Sequence, residues 1–115
     1  MRTNRSWLCF FGAALVCFLS VYGHAEDGVS KDSIVFGQVA ALNGPAQALG
    51  QGMREGILAA FEEANRGGGI NGRRLELKSI DDSYEPEKTI EATNKAIKED
   101  KVFALVGAVG TPTSK

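Results

Sequence analysis

The sequence predicts an α/β protein with a βαβαβ order and a parallel sheet. Two apolar runs rich in β-branched residues, at 33–41 and 102–106, have the composition of buried strands. Two stretches with apolar residues three and four apart lie between them, separated by an alternating segment. Gly, Asn, Asp or Pro stands at almost every change of period, where turns are needed.

The first strand is Ser-Ile-Val-Phe-Gly-Gln-Val-Ala-Ala at 33–41, a near-continuous apolar run suited to burial on both faces. Asn43-Gly44-Pro45 ends it with turn residues. From Ala48 the period changes. Leu49, Met53, Ile57, Ala60, Phe61 and Ala64 form one stripe of an amphipathic helix, with Arg54, Glu55, Glu62 and Glu63 opposite. Gly67-Gly68-Gly69 supplies its left-handed end, and Asn71-Gly72 a tight turn. Residues 74–80 alternate polar and apolar, as an edge strand with one wetter face would. Pro86 sits where a missing N–H costs nothing, at the first turn of a helix over 87–99. Ile90, Thr93, Ala96 and Ile97 are its expected buried stripe, and Glu91 and Lys95 an expected i,i+4 ion pair. The third strand, 102–106, runs into a small-residue loop over 107–115.

Strands alternating with helices imply parallel pairing through right-handed crossovers. In sheet order 2-1-3, the first and third strands flank the switch point, beyond whose carboxyl ends ligands bind. The loops at 42–50 and 107–114 meet there. Both are candidate ligand-binding segments on fold logic alone.

Residues 1–25 read as an address. Arg2 and Arg5 are the only charges before Glu26, residues 7–22 are almost wholly apolar, and Gly23-His24-Ala25 has a small-x-small pattern. A secretory signal peptide, cleaved after Ala25, is the expectation. The 16 apolar residues fall short of the ~20 that span a bilayer, and Val16 is too large to precede a lipidated Cys17. Removal leaves 90 of the 115 residues, with 11 basic against 14 acidic, a net charge of −3. Cys9, Cys17 and His24 leave with the leader. The remaining 26–115 segment therefore has no disulfide, no thiol nucleophile, no histidine base and no Cys or His metal ligand. Enzyme, metal and cofactor roles are not expected. Neither is nucleic-acid binding, which needs a basic footprint.

The weaker motifs have structural readings. Gly50-Gln51-Gly52-Met53-Arg54-Glu55-Gly56 is not a dinucleotide fingerprint, because its third glycine is one residue late and a loop separates it from the strand. Its glycines are expected to serve close helix packing. Residues 107–115 lack the Gly-Lys-Ser/Thr of a P-loop. Asp81 and Asp82 are adjacent and point to opposite faces, so capping or loop orientation is their expected work. Arg73-Arg74 is expected to be solvated. Gly110-Thr111-Pro112-Thr113-Ser114 offers hydroxyls beside an expected helix start, a setting that attracts a carboxylate.

From Val29 to Ser114 the chain resembles the periplasmic solute-binding proteins of branched-chain amino acid ABC transporters. The resemblance rests on Ile34-Val35-Phe36-Gly37, Leu42-Asn43-Gly44-Pro45, Gly50 to Gly56 and Ala64-Asn65. It continues through Gly68-Gly69-Ile70-Asn71-Gly72-Arg73, Asp81-Asp82, Glu85-Pro86 and Phe103 to Gly107. It implies a partial first lobe of a type I periplasmic-binding-protein fold, which is shared with amide sensors and some receptor domains. It implies an amino acid or related small carboxylate as ligand, bound between two lobes, and an ABC permease in the inner membrane as partner. By position, Thr111 matches the hydroxyl residue that contacts the ligand after the third strand. Leu49 matches a position facing the ligand side chain, often aromatic in the family, and leucine there implies a somewhat different apolar or acidic ligand. Asn43, Thr113 and Ser114 are supporting positions. Members of the family are several times longer, so this chain is expected to be an N-terminal piece that does not bind or close alone. A ligand-sensing domain of the same fold is the alternative role.

Overall fold

The computed structural model describes residues 25–114. The signal-peptide expectation therefore falls outside the described residues, apart from Ala25 at its end. Three strands and two helices follow in the expected order: β1 (Ser33–Ala40), α1 (Gln47–Arg66), β2 (Arg74–Asp81), α2 (Pro86–Lys98) and β3 (Ala104–Leu105). The strands form one parallel sheet in the order β2-β1-β3, as the crossover argument requires.

β1 pairs with β2 along its whole length, from Ser33 against Arg74 to Ala40 against Asp81. Residues paired in a parallel ladder share a face. Phe36 meets Phe61 of α1 with ring centroids 5.3 Å apart, so the even residues of β1 look toward that helix. On β2 the next residue round, Lys78, reaches Asp100 just after α2 at 3.1 Å. Thus α1 and α2 cover opposite faces. Gly37 through Ala41 are buried, and β2 shows the outward Arg74, Glu76 and Lys78 of an edge strand.

β3 is shorter than the apolar run that encodes it. The Val102 N–H turns away to the Ala96 carbonyl, at 3.1 Å, and ties the strand entry to α2. Only the Phe103 N–H to Val35 O and Val106 N–H to Gly37 O bonds, both 2.8 Å, flank the two-residue strand. Phe103 and Leu105 remain exposed, because no further strand pairs with this edge among the described residues.

The helix stripes also need correction. In α1, Gly50 is buried and Ile57, Phe61 and Ala64 are half-buried, but Leu49, Met53 and Ala60 are exposed. The sheet beneath is narrow, so only the central part of the stripe is covered. In α2 the buried residues are Ala92 and Ala96, flanked by Thr89 and Thr93, while Ile90 (64% exposed) and Ile97 point outward. Two alanines one turn apart let the helix lie close to the sheet, and this contact prevails over the larger side chains on the neighbouring flank. The Glu91–Lys95 pair is not among the ion pairs of the described residues, which are Glu62–Arg66, Lys78–Asp100 and Glu85–Lys88.

The turns behave as their composition demands. Gly68 and Gly69 have positive φ, and their N–H groups bond to the carbonyls of Asn65 (3.1 Å) and Ala64 (2.9 Å). That is a Schellman motif closing α1. Asn71 and Gly72, both at positive φ, join Ile70 to Arg73 in a reciprocal two-bond turn. Arg74 is solvated, but the Arg73 Nε–H donates to the Ser30 carbonyl at 2.8 Å and pins the lead-in segment.

The glycines of α1 divide into two kinds. Gly50 packs on the end of β1, and a Cβ there would overlap the Ala41 carbonyl. Gly52 and Gly56 have open space instead, so close packing explains only the first. Opposite outcomes follow for one substitution. Gly50→Ala should lose about 1–3 kcal/mol by overpacking. Gly56→Ala should gain roughly 0.5–1 kcal/mol through helix propensity. Urea denaturation of the two variants checks both signs.

Candidate functional site

The carboxyl ends of β1 and β3 lie side by side, joined by a further bridge between Ala40 and Val109. Beyond it the chain leaves in two loops, 41–46 into α1 and 106–114 after β3. These are the two segments that fold logic nominates. One buried side chain, Gln38, holds them in register. It is fully buried in the middle of β1, and its Nε2 donates to the Gly107 carbonyl at 3.3 Å and, more weakly, to the Gly50 carbonyl at 3.5 Å. Its Oε1 accepts from the Ser79 hydroxyl at 2.9 Å. A buried amide is stable only when its donors and acceptor are used. Here that requirement ties β2, the first turn of α1 and the β3 loop to a single point.

Asp81 orients the β1–α1 loop. One carboxylate oxygen accepts from the Leu42 and Asn43 N–H groups, the latter at 3.1 Å, and from the Ser83 N–H at 3.2 Å. The other accepts from the Ser83 hydroxyl at 2.9 Å. Burial alone would raise the Asp81 pKa, but these hydrogen bonds from Leu42, Ser83 and Asn43 outweigh it and lower the pKa to about 2. Asp82 faces the other side of the sheet and is fully buried. It accepts from the Tyr84 N–H and the Thr89 hydroxyl, both at 2.9 Å, and so fastens the start of α2. The adjacent aspartates are thus loop and helix anchors on opposite faces.

Between them and α2, Ser83 and Tyr84 both have positive φ (51° and 65°). Two successive non-glycine residues in that region cost on the order of 1–3 kcal/mol each and persist only where their surroundings impose them. Both aspartates supply that constraint.

The five expected contact residues are placed unequally. Leu49 is 55% exposed in the first turn of α1. Asn43 is exposed, its N–H held by Asp81, and it lines a groove with Leu42, Gln51, Arg54 and Leu58 on the outer side of α1. Thr111 and Ser114 are exposed after β3, with Thr111 in a turn over 111–113. Thr113 is half-buried, and its hydroxyl donates within the turn, to Gly110 O at 3.1 Å. It looks onto a groove beside Pro86, Thr89, Ile90 and Thr93 of α2. Its hydroxyl shapes the loop. Ala46, the residue before α1, makes no side-chain capping bond, and the first turn of α1 carries no acidic residue. The Gln47 and Leu49 N–H groups there are taken by the Gly44 and Ala46 carbonyls, both at 3.1 Å, so this helix end offers its positive dipole more than free donors.

The family model for periplasmic binding proteins matches residues 33–115. The chain belongs to the periplasmic binding protein family. A Brucella melitensis protein described as Leu/Ile/Val-binding protein homolog 3 is 34% identical over 96 residues, covering 84% of this chain and 25% of that protein. The crystal structure of a possible leucine/isoleucine/valine-binding protein from Rhodopirellula baltica is 43% identical, with a TM-score of 0.69. The match covers 77% of this chain and 23% of that one. The branched-chain amino acid transporter substrate binding protein LivJ of Streptococcus pneumoniae, solved in complex with isoleucine, is 26% identical. Its TM-score is 0.68, over 72% of this chain and 24% of that one. These relatives are binding proteins, not enzymes, and their likeness places the sheet within the type I periplasmic-binding fold. The chain spans about a quarter of the length of the curated relatives it matches.

Among the described residues no helix is long and apolar enough to cross a membrane, and no group of three or more His, Cys, Asp or Glu could hold a metal. Gln38 and Tyr84 are the residues that sequence reasoning passed over, whereas the loop-orienting role expected of Asp81 is the one it has. Gln38 carried a legible sign, being the one long polar side chain in an apolar strand.

A pH dependence follows from Asp81. Its pKa is lower in the folded chain than in the unfolded one, so its stabilisation is present above pH ~4 and is lost as the pH falls toward ~2. Asp81→Asn should cost about 1 kcal/mol at pH 7, the exposed setting reducing what the shift alone would give. The difference between the variant and the parent should shrink as the pH falls from ~4 through ~2 and vanish below that, as measured by denaturation at each pH.

Proposed function

We propose that this chain serves as part of the extracytoplasmic solute-binding component of an ABC importer for amino acids. A branched-chain amino acid or a related small carboxylate is its ligand. In this reading residues 1–25 are a signal peptide that is removed on export to the periplasm. Residues 26–115 form the first part of one lobe. The loaded protein docks on a permease in the inner membrane.

The observation that carries the reading is the pair of exposed, uncharged loop ends at the carboxyl edge of β1 and β3, one of them opening into a helix start with no side-chain cap. A zwitterion's carboxylate is favoured by a positive helix-dipole end and a neutral hydroxyl donor, which here come without a competing counter-ion. Thr111 is the hydroxyl in this role. Leu49, on the exposed side of the α1 first turn, supplies apolar contact for the ligand side chain. Asn43 borders the β1–α1 loop, while Thr113 and Ser114 set the shape and end of the second loop. The names of the relatives, which bind leucine, isoleucine and valine, support the ligand class. Leu49 favours an apolar side chain. Closure over the ligand needs a second lobe, so the chain is not expected to bind tightly alone.

The test joins residues 26–114 to the remaining three quarters of a Leu/Ile/Val-binding relative. Calorimetry with a panel of L-amino acids should show binding by the chimera, best for branched aliphatic side chains. Thr111→Val should weaken it about tenfold, the effect of one lost hydrogen bond to a charged group. Unchanged affinity in that variant would remove Thr111 from the site.

A further inference from the structure

We infer that Tyr84 is the positioning residue of the Thr111 loop, acting as a wedge that fixes Gly110 and the turn after it. The inference rests on the binding reading of that loop and adds a residue that makes no ligand contact itself. Tyr84 belongs to the β2–α2 connection, which is distant in sequence from Gly110. Yet its ring lies so close that a Cβ added at Gly110 would stand 2.9 Å from Cε2 and 3.3 Å from Cδ2. The same Cβ would also overlap the Thr113 hydroxyl. Gly110 itself has φ 137°, a backbone conformation that side chains rarely adopt. The residue before Thr111 is therefore crowded by an aromatic ring and a hydroxyl, in a conformation glycine alone accepts easily.

Tyr84 reaches this place only through its own unusual backbone. Its φ is 65°, and that of Ser83 is 51°. The buried Asp82 carboxylate holds the Tyr84 N–H at 2.9 Å, and Asp81 holds Ser83. A tyrosine in an ordinary extended or helical conformation would aim its ring elsewhere. The strain is thus maintained at the point where it brings an aromatic face onto the other loop, as expected of a pre-organising contact. The shape of the ring does this work, and among the described residues the hydroxyl makes no hydrogen bond. A phenylalanine should therefore suffice.

NMR on the chain tests this directly. Nuclear Overhauser contacts between the Tyr84 ring protons and the Gly110 Hα protons are expected. Backbone order parameters of Thr111 and Thr113 should lie near the rigid value of ~0.85 in the parent and fall below ~0.6 in Tyr84→Ala. Tyr84→Phe should keep the parent values, and the amides of β1 should not change in either variant. Absent ring contacts, an unchanged loop in Tyr84→Ala, or a loosened loop in Tyr84→Phe would each overturn the inference. The binding reading fails differently. If Tyr84→Ala loosens the loop but leaves the chimera's affinity for amino acids unchanged, the wedge stands and the ligand site lies elsewhere.

Discussion

The Gln38 amide is the constraint on which the rest of the structure depends. β1 is the central strand, and every other element is placed relative to it. A polar side chain buried there must find partners for both ends of its amide, or lose about 1–3 kcal/mol for each group left unsatisfied. Its partners are Ser79 on β2, the Gly50 carbonyl in α1 and the Gly107 carbonyl after β3. Apolar packing could hold these elements at a range of offsets. Directional bonds from one amide select a single arrangement, in which α1 begins and the β3 loop departs at the same edge of the sheet.

The close approach of α1 follows from the same point. Gly50 lies against Ala41 because no side chain intervenes, and its carbonyl comes within reach of Gln38. The two aspartates at the end of β2 then settle the loops around this junction. Asp81 fixes the β1–α1 loop through its N–H groups, and Asp82 fixes the entry to α2 and with it Tyr84. Among the described residues the loops at 41–46 and 106–114 carry no charged side chain. A small zwitterion is better matched to such a surface than an anion, which would seek a cationic cluster, or a metal, which would need converging carboxylates.

The element order, the sheet order and the turn chemistry were legible in the sequence. Periodicity, glycine placement and the handedness of crossovers are local or nearly universal rules, and Gly68-Gly69 and Asn71-Gly72 follow them closely. The facing of the helices was not legible. Ile90 and Ile97 read as core because they are large and apolar, yet the alanines one turn apart decide which flank of α2 approaches the sheet. Likewise β3 reads as five apolar residues, but the Val102 N–H is claimed by Ala96 of α2. Such outcomes depend on contacts between elements distant in sequence. The candidate site divides in the same way. Its two loops could be named from topology alone. Of the side chains that hold them, Asp81 could be read as a loop anchor and Gln38 stood out against its local composition, but Tyr84 gave no local sign. Thr113 carried the right chemistry for ligand contact, but its hydroxyl is turned onto its own loop.

The most direct measurement is a crystal structure of residues 26–114, joined to the remaining lobe segments of a Leu/Ile/Val-binding relative, with L-isoleucine bound. The expected result is a ligand carboxylate within hydrogen-bonding distance of the Thr111 hydroxyl, an apolar side chain against Leu49, and Gln38 still bridging Ser79 and Gly107. A ligand that touches only one of the two loops, or that sits in the groove between Asn43 and Leu58, would contradict the claim that the buried amide aligns both loops for a single amino acid.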